Sequence, residues 1–254
     1  MDASKEPIAK LPEALVIEPT GEHTHSVILL HGMYYHGDMF EQMPRILSRL
    51  GGSAANTRWV FPCAPIRTIS WPQGAEHNVS AWYNYFGSGT QIDEAHLELV
   101  TREVHAIIDA EAARLGGDTT RIALGGNSQG GTVALHAGLT YPTELGALLC
   151  GCTTLLDLTP VPQRKTPALP IFIFTAELDQ EYTPPFQRRC FQRLRDAGFR
   201  VISHVEPGLD HYTTSTAELH HHAAWLSLAL HGQPLTVTYR DVASAPATAM
   251  SLFG

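Results

Sequence analysis

The sequence predicts an α/β domain with a mostly parallel central sheet flanked by helices, on two observations. Short apolar runs alternate with longer amphipathic stretches along the 254 residues, which is the order of a parallel sheet with crossover helices. Several short runs are apolar throughout, as expected of strands covered on both faces. The strands predicted from these runs are residues 26–30, 58–61, 121–124, 147–152, 170–174 and 200–205.

Four amphipathic stretches between and after these strands are predicted to be helices. The first repeats apolar residues at helical spacing and stops at Gly116 and Gly117. The predicted helices are residues 92–115, 129–141, 184–197 and 213–230.

Two segments have no regular pattern. Residues 63–90 are rich in aromatic residues and interrupted by Pro and Gly, so we expect an irregular functional loop or a lid there. No structure is predicted for the tail, residues 231–254. Without a linker or a repeat, residues 1–254 are expected to form a single domain.

Composition excludes several classes of protein. Hydrophobic residues make up 44% and charged residues 17%, which is typical of an ordinary globular chain. The net charge is −8 and the sequence has no run of basic residues, so no nucleic-acid partner is expected. Because no apolar segment has the length of a membrane span or the pattern of a signal peptide, we expect a cytoplasmic protein without stable membrane insertion. The oligomeric state is left open.

A G-x-S-x-G sequence from Gly126 to Gly130 follows one predicted strand and opens a predicted helix. This is the context of a nucleophile elbow, a sharp strand-to-helix turn that exposes the serine hydroxyl at the top of the sheet. Glycines on either side avoid Cβ clashes in the turn. Ser128 is therefore the predicted nucleophile; the alternative is a glycine-rich turn with an incidental serine.

A serine hydroxyl needs a base, and in this arrangement an acid and then a histidine follow the serine along the chain. Asp179 follows the predicted strand 170–174, and His211 follows the strand 200–205. Both therefore lie at carboxyl ends of strands, where open α/β sheets bind their ligands. Glu177 is the second choice for the acid, whereas Asp210 adjoins the histidine and would point away from it.

Other histidines are assigned structural places, because the chain has 14 of them. His31 is expected to brace the turn after the first strand, and His204 to be packed in its strand or at an edge. Residues 220–222 are three consecutive histidines that point in three directions around a helix. A solvated face is expected there rather than a metal site.

An oxyanion hole requires two backbone N–H groups directed at the developing negative charge. The N–H of Gln129, directly after the nucleophile, is one predicted donor. The N–H of Met33, in the loop after the strand 26–30, is the other. The alternative for His31 and Gly32 is a plain turn that ends the strand.

With these residues placed, the chain resembles the acyl-protein thioesterase and small carboxylesterase family of α/β-hydrolases from about residue 27 to residue 230. The segments that carry the resemblance are Leu-Leu-His-Gly-Met (29–33), Phe-Pro-Cys-Ala-Pro (61–65), Ala-Trp-Tyr (81–83), Gly-Asn-Ser-Gln-Gly-Gly (126–131), Asp179 before Pro184, and Gly-Leu-Asp-His (208–211). The resemblance implies an α/β-hydrolase fold, a triad of Ser128, Asp179 and His211, and oxyanion donors at Met33 and Gln129.

It also implies hydrolysis of carboxylic esters or thioesters with acyl chains, without a cofactor or a metal. The substrate would be a small-molecule ester or thioester, with an acylated protein as a further option.

The chain departs from the family pattern around the expected substrate entrance. Tyr34 and Tyr35 stand where glycine and an acidic residue are common in the family. Ala176 and Asp210 each stand at a position where glycine is common. These changes favour a bulkier metabolite ester or thioester over palmitoyl proteins. The residues predicted to contact substrate are Tyr34, Tyr35, Trp71, Trp82 and Tyr83. For the aromatic loop, packing against the core is the alternative.

Two rival functions remain open at this stage. One is a binding or accessory protein that keeps the fold without turnover. The other is an acyltransferase, lyase or cyclase that uses the same triad with water excluded, because a fold alone does not fix a function.

Overall fold

The computed structural model describes residues 10–52, 54–70, 74–86, 91–163, 169–213 and 215–232. Within these residues the strands are β1 (Leu15–Ile17), β2 (His25–Leu30), β3 (Thr57–Phe61), β4 (Ile66–Ile69), β5 (Glu76–Ser80), β6 (Ile122–Asn127), β7 (Ala147–Gly151), β8 (Pro170–Ala176) and β9 (Arg200–Glu206). The α-helices are α1 (Met43–Arg49), α2 (Glu94–Arg114), α3 (Ser128–Thr140), α4 (Pro184–Asp196) and α5 (Thr216–His231).

A seven-stranded sheet forms the centre of the fold, in the order β1-β3-β2-β6-β7-β8-β9. Strand β1 runs antiparallel to β3, and every other neighbouring pair is parallel. The carboxyl ends of β6, β8 and β9 therefore lie at one edge of the sheet. This arrangement confirms the predicted mostly parallel sheet with flanking helices.

Each face of the sheet packs against its own set of helices. Alternate side chains of β2 show the division: Ile28 and Leu30 belong to one buried cluster, and Val27 and Leu29 to another. The first cluster contains apolar residues of α2, α3 and α4, and the second those of α1 and α5. Burial on both faces explains why the sequence of β2 is a continuous apolar run.

All six predicted strands and all four predicted helices are present, with ends shifted by up to three residues. Strand β6 continues to Asn127 because Gly126 still pairs with Leu30 of β2. Strand β7 stops before Cys152, whose φ of 44° is incompatible with an extended strand.

The expectation for residues 63–90 was wrong in one respect. The segment contains an antiparallel hairpin of β4 and β5, with Ile66 opposite Ser80. Charged and polar residues and a register shift between Arg67 and Ile69 hide the alternating pattern of a hairpin. Strand β1 and helix α1, which have only three and seven residues, were also not predicted.

Other expectations concern the residues around this framework. Of the tail, residues 231–254, the part from 233 onward lies outside the described residues. None of the helices in the described ranges is both long and apolar enough to cross a membrane. The four cysteines are all free thiols.

Candidate active site

The turn between β6 and α3 places Ser128 at the carboxyl edge of the sheet. Ser128 has a φ of 51°, in the left-handed region that non-glycine residues seldom adopt. Such strain persists only where the surrounding structure imposes it, and it is common at functional sites. The backbone geometry is that of the nucleophile elbow expected from the sequence.

Close backbone contacts explain the two glycines of the motif. A Cβ added at Gly126 would lie 2.5 Å from the carbonyl oxygen of Leu30. One added at Gly130 would lie 2.3 Å from the same oxygen and 2.4 Å from that of His31. Any side chain at either position would therefore force β6 and α3 away from the end of β2.

Ser128, His211 and Asp179 form one hydrogen-bonded chain. The serine Oγ lies 2.9 Å from Nε2 of His211, and Nδ1 of the same ring lies 2.9 Å from Oδ2 of Asp179. Asp179 is almost fully buried, and Ser128 is partly exposed. The structure thus brings together, in the expected order, three residues separated by up to 83 positions in sequence.

The loop after β8 fixes the carboxylate of Asp179. Its Oδ1 accepts hydrogen bonds from the backbone N–H groups of Glu181 (2.9 Å) and Tyr182 (2.8 Å). Oδ2 also accepts a longer bond of 3.4 Å from Nε2 of Gln187. Because both oxygens are held, the carboxylate is oriented before it meets the imidazole.

The two alternative carboxylates have other partners. Glu177 is exposed and accepts the N–H of Gly208 at 2.8 Å. Asp210 accepts the N–H groups of Tyr212 (3.0 Å) and Thr213 (2.7 Å). Hydrogen bonds from the side chain and the backbone of Thr213, and then the one from Tyr212, lower the pKa of Asp210. Both side chains stabilise the loops around His211 rather than its ring.

Both predicted oxyanion donors lie beside the nucleophile. Gln129 is the second residue of α3, so its N–H belongs to the first turn, where N–H groups have no partner within the helix. A Cβ added at Gly32 would lie 3.4 Å from Cβ of Ser128. The loop that carries Met33 therefore passes directly alongside the serine.

The Gln129 side chain has a role that the sequence analysis missed. It is fully buried; its Oε1 accepts the N–H of Trp82 at 2.7 Å, and its Nε2 donates to the carbonyl oxygen of Tyr83 at 2.9 Å. Trp82 in turn donates its indole N–H to the carbonyl oxygen of His31 at 2.7 Å. The Gln129 side chain thus ties the nucleophile turn to the aromatic segment.

His31 completes this network as the brace expected from the sequence. Nε2 of its ring accepts the N–H of Ala64 at 2.9 Å, and Nδ1 donates to the carbonyl oxygen of Gly32 at 2.7 Å. Burial lowers the pKa of His31 to about 4, so the ring is neutral near pH 7 and can accept at one nitrogen while donating at the other. We call these linked residues the brace network: His31, Gly32, Ala64, Trp82, Tyr83 and Gln129.

The predicted substrate contacts separate into two groups. Trp82 and Tyr83 are fully buried in the core, so they correspond to the packing alternative and support the site from behind. Tyr34 is half exposed, has a φ of 73°, and donates its hydroxyl to Glu76 at 2.7 Å. Tyr35 is partly buried next to Gly32. Trp71 lies outside the described residues.

Sequence reasoning also missed Glu218 of α5, which lies beneath the nucleophile. Its Oε1 accepts the side-chain N–H of Asn127 at 2.9 Å. A Cβ at Gly151 would lie 1.8 Å from the same oxygen, so Gly151 leaves space for the carboxyl. Burial raises the pKa of Glu218 to about 7, against the opposing effect of the Asn127 hydrogen bond.

Comparison with known proteins identifies the family of the chain. The profile of the family described as phospholipase/carboxylesterase matches residues 11–227. The chain belongs to this family. This membership confirms the predicted family and the predicted fold. Together with the names of the relatives described next, it confirms the prediction of a hydrolase of the esterase and thioesterase class.

Individual members of the family are moderately similar to this chain in sequence. Acyl-protein thioesterase 1 of Schizosaccharomyces pombe is 36% identical over 143 residues, which are 56% of this chain and only 60% of that protein. Carboxylesterase SOBER1 of Arabidopsis thaliana is 29% identical over 228 residues, covering 83% and 92% of the two chains. The crystal structure of Arabidopsis thaliana SOBER1 superposes with a TM-score of 0.69 at 26% identity, over 82% of this chain and 99% of that one.

His221 and His222 of this esterase do not lie on a solvated face, contrary to expectation. His222 is fully buried, and neither of its ring nitrogens has a hydrogen-bond partner among the described residues. His221 is partly buried and stacks on His204 of β9, with ring centroids 3.8 Å apart. Hydropathy alone cannot predict the burial of these histidines, because it does not show that α5 packs against β6, β7 and β8.

Proposed function

We propose that this esterase cleaves carboxylic ester or thioester bonds through an acyl-enzyme on Ser128. The observation that carries the proposal is the continuous chain from Ser128 through His211 to Asp179, with both links at 2.9 Å. A serine hydroxyl is weakly nucleophilic until an adjacent base accepts its proton. The Nε2 atom of His211 is within direct reach of that proton.

The reaction would proceed in two half-reactions. As the Ser128 oxygen attacks the carbonyl carbon, its proton passes to Nε2 of His211. The imidazolium then donates this proton to the leaving alcohol or thiol, and the acyl group remains on the serine. In the second half, His211 accepts a proton from water, which attacks the acyl-enzyme and releases the acid.

Asp179 and the two backbone donors stabilise charge during these steps. Asp179 holds the ring with its proton on Nδ1 and stabilises the transient imidazolium. The N–H groups of Met33 and Gln129 would bind the tetrahedral oxyanion. Each such donor contributes about 3 kcal/mol to stabilisation of the transition state.

The surroundings of the serine favour a neutral acyl substrate. Tyr34 and Tyr212 are each half exposed, and the Tyr212 ring centroid is 5.4 Å from that of His211. The two hydroxyls donate to Glu76 and Glu181, respectively. The rim is therefore aromatic and carries carboxylates, which suits an apolar acyl chain with an uncharged leaving group.

Acylated proteins and metabolite esters both fall within this substrate class. The expected cytoplasmic location, the single-domain organisation and the lack of a nucleic-acid partner stay predictions.

Reaction with a fluorophosphonate probe tests the proposal. We expect one label per chain by intact mass, and turnover of p-nitrophenyl acyl esters. Both should disappear in Ser128→Ala and persist in Ser203→Ala, which removes an exposed hydroxyl on β9. A well-folded wild-type protein that neither labels nor turns over would contradict the proposal and favour a binding protein. Transfer of the acyl group to an added alcohol in preference to water would instead identify an acyltransferase.

A further inference from the structure

A second cluster of chemically active side chains lies apart from Ser128, between the edge strand β9 and helix α5. His204 and Glu206 are two residues apart in β9 and so point to the same face of the strand. Nε2 of His204 is 2.8 Å from Oε2 of Glu206. Across the gap, His221 of α5 stacks its ring on that of His204 at an interplanar angle of 28°. We call these three residues the β9–α5 cluster.

One ligand atom from each of the three side chains lies within 4.8 Å of the others. In a tetrahedral zinc site with bonds of about 2.0–2.1 Å, neighbouring ligand atoms are roughly 3.3 Å apart. The stacked rings of His204 and His221 would turn apart, from a centroid separation of 3.8 Å to about 5 Å, so that both nitrogens point at one ion. All three side chains are partly buried, so a cation could reach the cluster and still be partly shielded from water.

The contacts of His221 leave its ring nitrogens available to a metal. Within the described residues, His221 has ring contacts with His204, Phe174 and Trp225, and no hydrogen bond to its nitrogens is present. A half-buried imidazole without a polar partner has unused capacity to bind a ligand.

The neighbouring histidines of α5 serve different roles. Nδ1 of His220 is committed to the carbonyl oxygen of Thr216, 2.5 Å away, on an exposed part of the helix. His222 faces the core, where its ring lies 6.3 Å from Phe174 and 5.8 Å from Trp225. Of the three consecutive histidines, His221 is the one directed at β9.

We propose that His204, Glu206 and His221 form a binding site for a divalent transition metal of the zinc class. Two imidazoles and one carboxylate are a donor set for Zn²⁺ or Co²⁺, with the remaining coordination positions left to water. A bound ion would replace the hydrogen bond between His204 and Glu206 and link the last strand of the sheet to the last helix. Because β9 leads directly into the loop of His211, the ion would stabilise the segment that carries the proposed base.

Cobalt titration of the full chain, first dialysed against a chelator, tests the site directly. Co²⁺ reports its coordination through visible d–d absorption, and no substrate is needed. We expect saturable binding of one Co²⁺ per chain, displacement by Zn²⁺, and a higher unfolding temperature with the ion. His221→Gln, His204→Gln and Glu206→Gln should each weaken binding by at least about tenfold, since even partners beyond the direct ligands contribute 10–100-fold.

Two variants provide matched controls. His220→Gln changes the adjacent histidine, and His211→Asn removes the imidazole of the proposed active site; both should retain the cobalt spectrum. Circular dichroism without metal establishes that each variant is folded, and Glu206→Gln retains a polar partner for His204 if a histidine variant unfolds. Absence of saturable binding by the wild type would overturn the proposal, and so would equal loss in His220→Gln and His221→Gln.

Discussion

At the scale of single residues, position in the loop rather than the type of carboxylate decides which acid binds His211. Asp179 and Glu177 are two residues apart in the same loop, yet one is buried beneath His211 and the other is exposed and bound to Gly208. The buried carboxylate meets the ring at 2.9 Å with its second oxygen held by two backbone N–H groups. The exposed one has no route to the ring without rearrangement of the loop.

We therefore predict that Asp179→Asn lowers kcat by about 10⁴-fold with little change in fold, because the amide would favour the wrong imidazole tautomer. Glu177→Gln is the matched control and should reduce kcat less than about threefold. Steady-state kinetics on a p-nitrophenyl ester measure both. Equal losses in the two variants would mean that the two carboxylates share the role.

Residues that belong to a fixed motif could be predicted from sequence, and residues defined by distant partners could not. Ser128, Asp179 and His211 follow the chain order typical of this fold, at the ends of recognisable strands. Glu218 depends on Asn127, which is 91 positions away, and on the absence of a side chain at Gly151. The role of the Gln129 side chain could not be predicted, because its partners are 46 and 47 positions away.

At the scale of elements, helix α5 carries two buried ionisable residues, Glu218 and His222. Their contributions to the free energy of unfolding change with pH in opposite directions. Glu218 has its pKa raised by burial from the ordinary 4.5 to about 7. His222 has its pKa lowered by burial from 6.5 to about 3. The carboxyl favours folding in its protonated form and the imidazole favours folding in its neutral form.

For Glu218, the raised pKa means that its contribution is complete below about pH 4.5 and is lost as the pH rises through 7. The shift corresponds to about 3 kcal/mol. Glu218→Gln keeps an acceptor for Asn127 and cannot ionise. The free energy of unfolding of this variant, relative to wild type, should therefore increase between about pH 5 and pH 8 by up to about 3 kcal/mol.

Urea denaturation at several pH values measures this difference. Glu98→Gln, which removes an exposed carboxylate of α2, is the matched control. A Glu218→Gln curve parallel to that of wild type would show that the carboxyl is already ionised in the folded protein.

For His222, the lowered pKa means that its contribution is complete above about pH 6.5 and is lost as the pH falls towards 3. The shift corresponds to about 5 kcal/mol. We predict that His222→Leu unfolds at a lower pH than wild type does and is also more stable at neutral pH, because both ring nitrogens lack partners in the described structure. Acid titration followed by circular dichroism tests this, with His220→Leu at the partly buried neighbouring histidine as the control. Acid unfolding at the same pH in wild type and His222→Leu would contradict it.

The elements that sequence could predict are the long and uniformly apolar ones. Strand β2 and helix α2 are recognisable because burial imposes a continuous run on one and a helical period on the other. Strand β5 begins with Glu76, His77 and Asn78, all exposed, and Asn78 has a φ of 63°. A polar strand with a distorted register gives no such pattern, so the hairpin was expected to be irregular.

At the scale of the whole molecule, electrostatics should discriminate between leaving groups. The net charge is −8, and Glu76 and Glu181 stand at the rim beside Tyr34 and Tyr212. An anionic substrate approaches against this field, and a neutral one does not. Repulsion of this kind is screened as the Debye length shortens from about 30 Å at 0.01 M salt to about 8 Å at 0.15 M.

We predict that kcat/KM for a coenzyme A thioester rises about tenfold between these salt concentrations, while that for a neutral thioester of the same acyl chain stays within about twofold. Glu181→Gln should reduce the salt dependence and retain an acceptor for the Tyr212 hydroxyl. Glu98→Gln on α2 is the control. A salt response that is the same for both substrates would rule out charge at the rim as the cause.

The brace network also bears on how this scaffold could change its specificity. The side chain of Gln129 and the ring of His31 fasten both oxyanion loops to residues 64 and 82–83, so the reactive geometry is anchored from the interior. The β4–β5 hairpin lies between those anchors in sequence and joins the site from outside, through Tyr34. Exchange of Glu76 and its neighbours in β5 for differently charged residues would alter the opening without disturbing the anchors. Laboratory evolution aimed at new esters should therefore accumulate its useful changes in the hairpin and leave the brace network untouched.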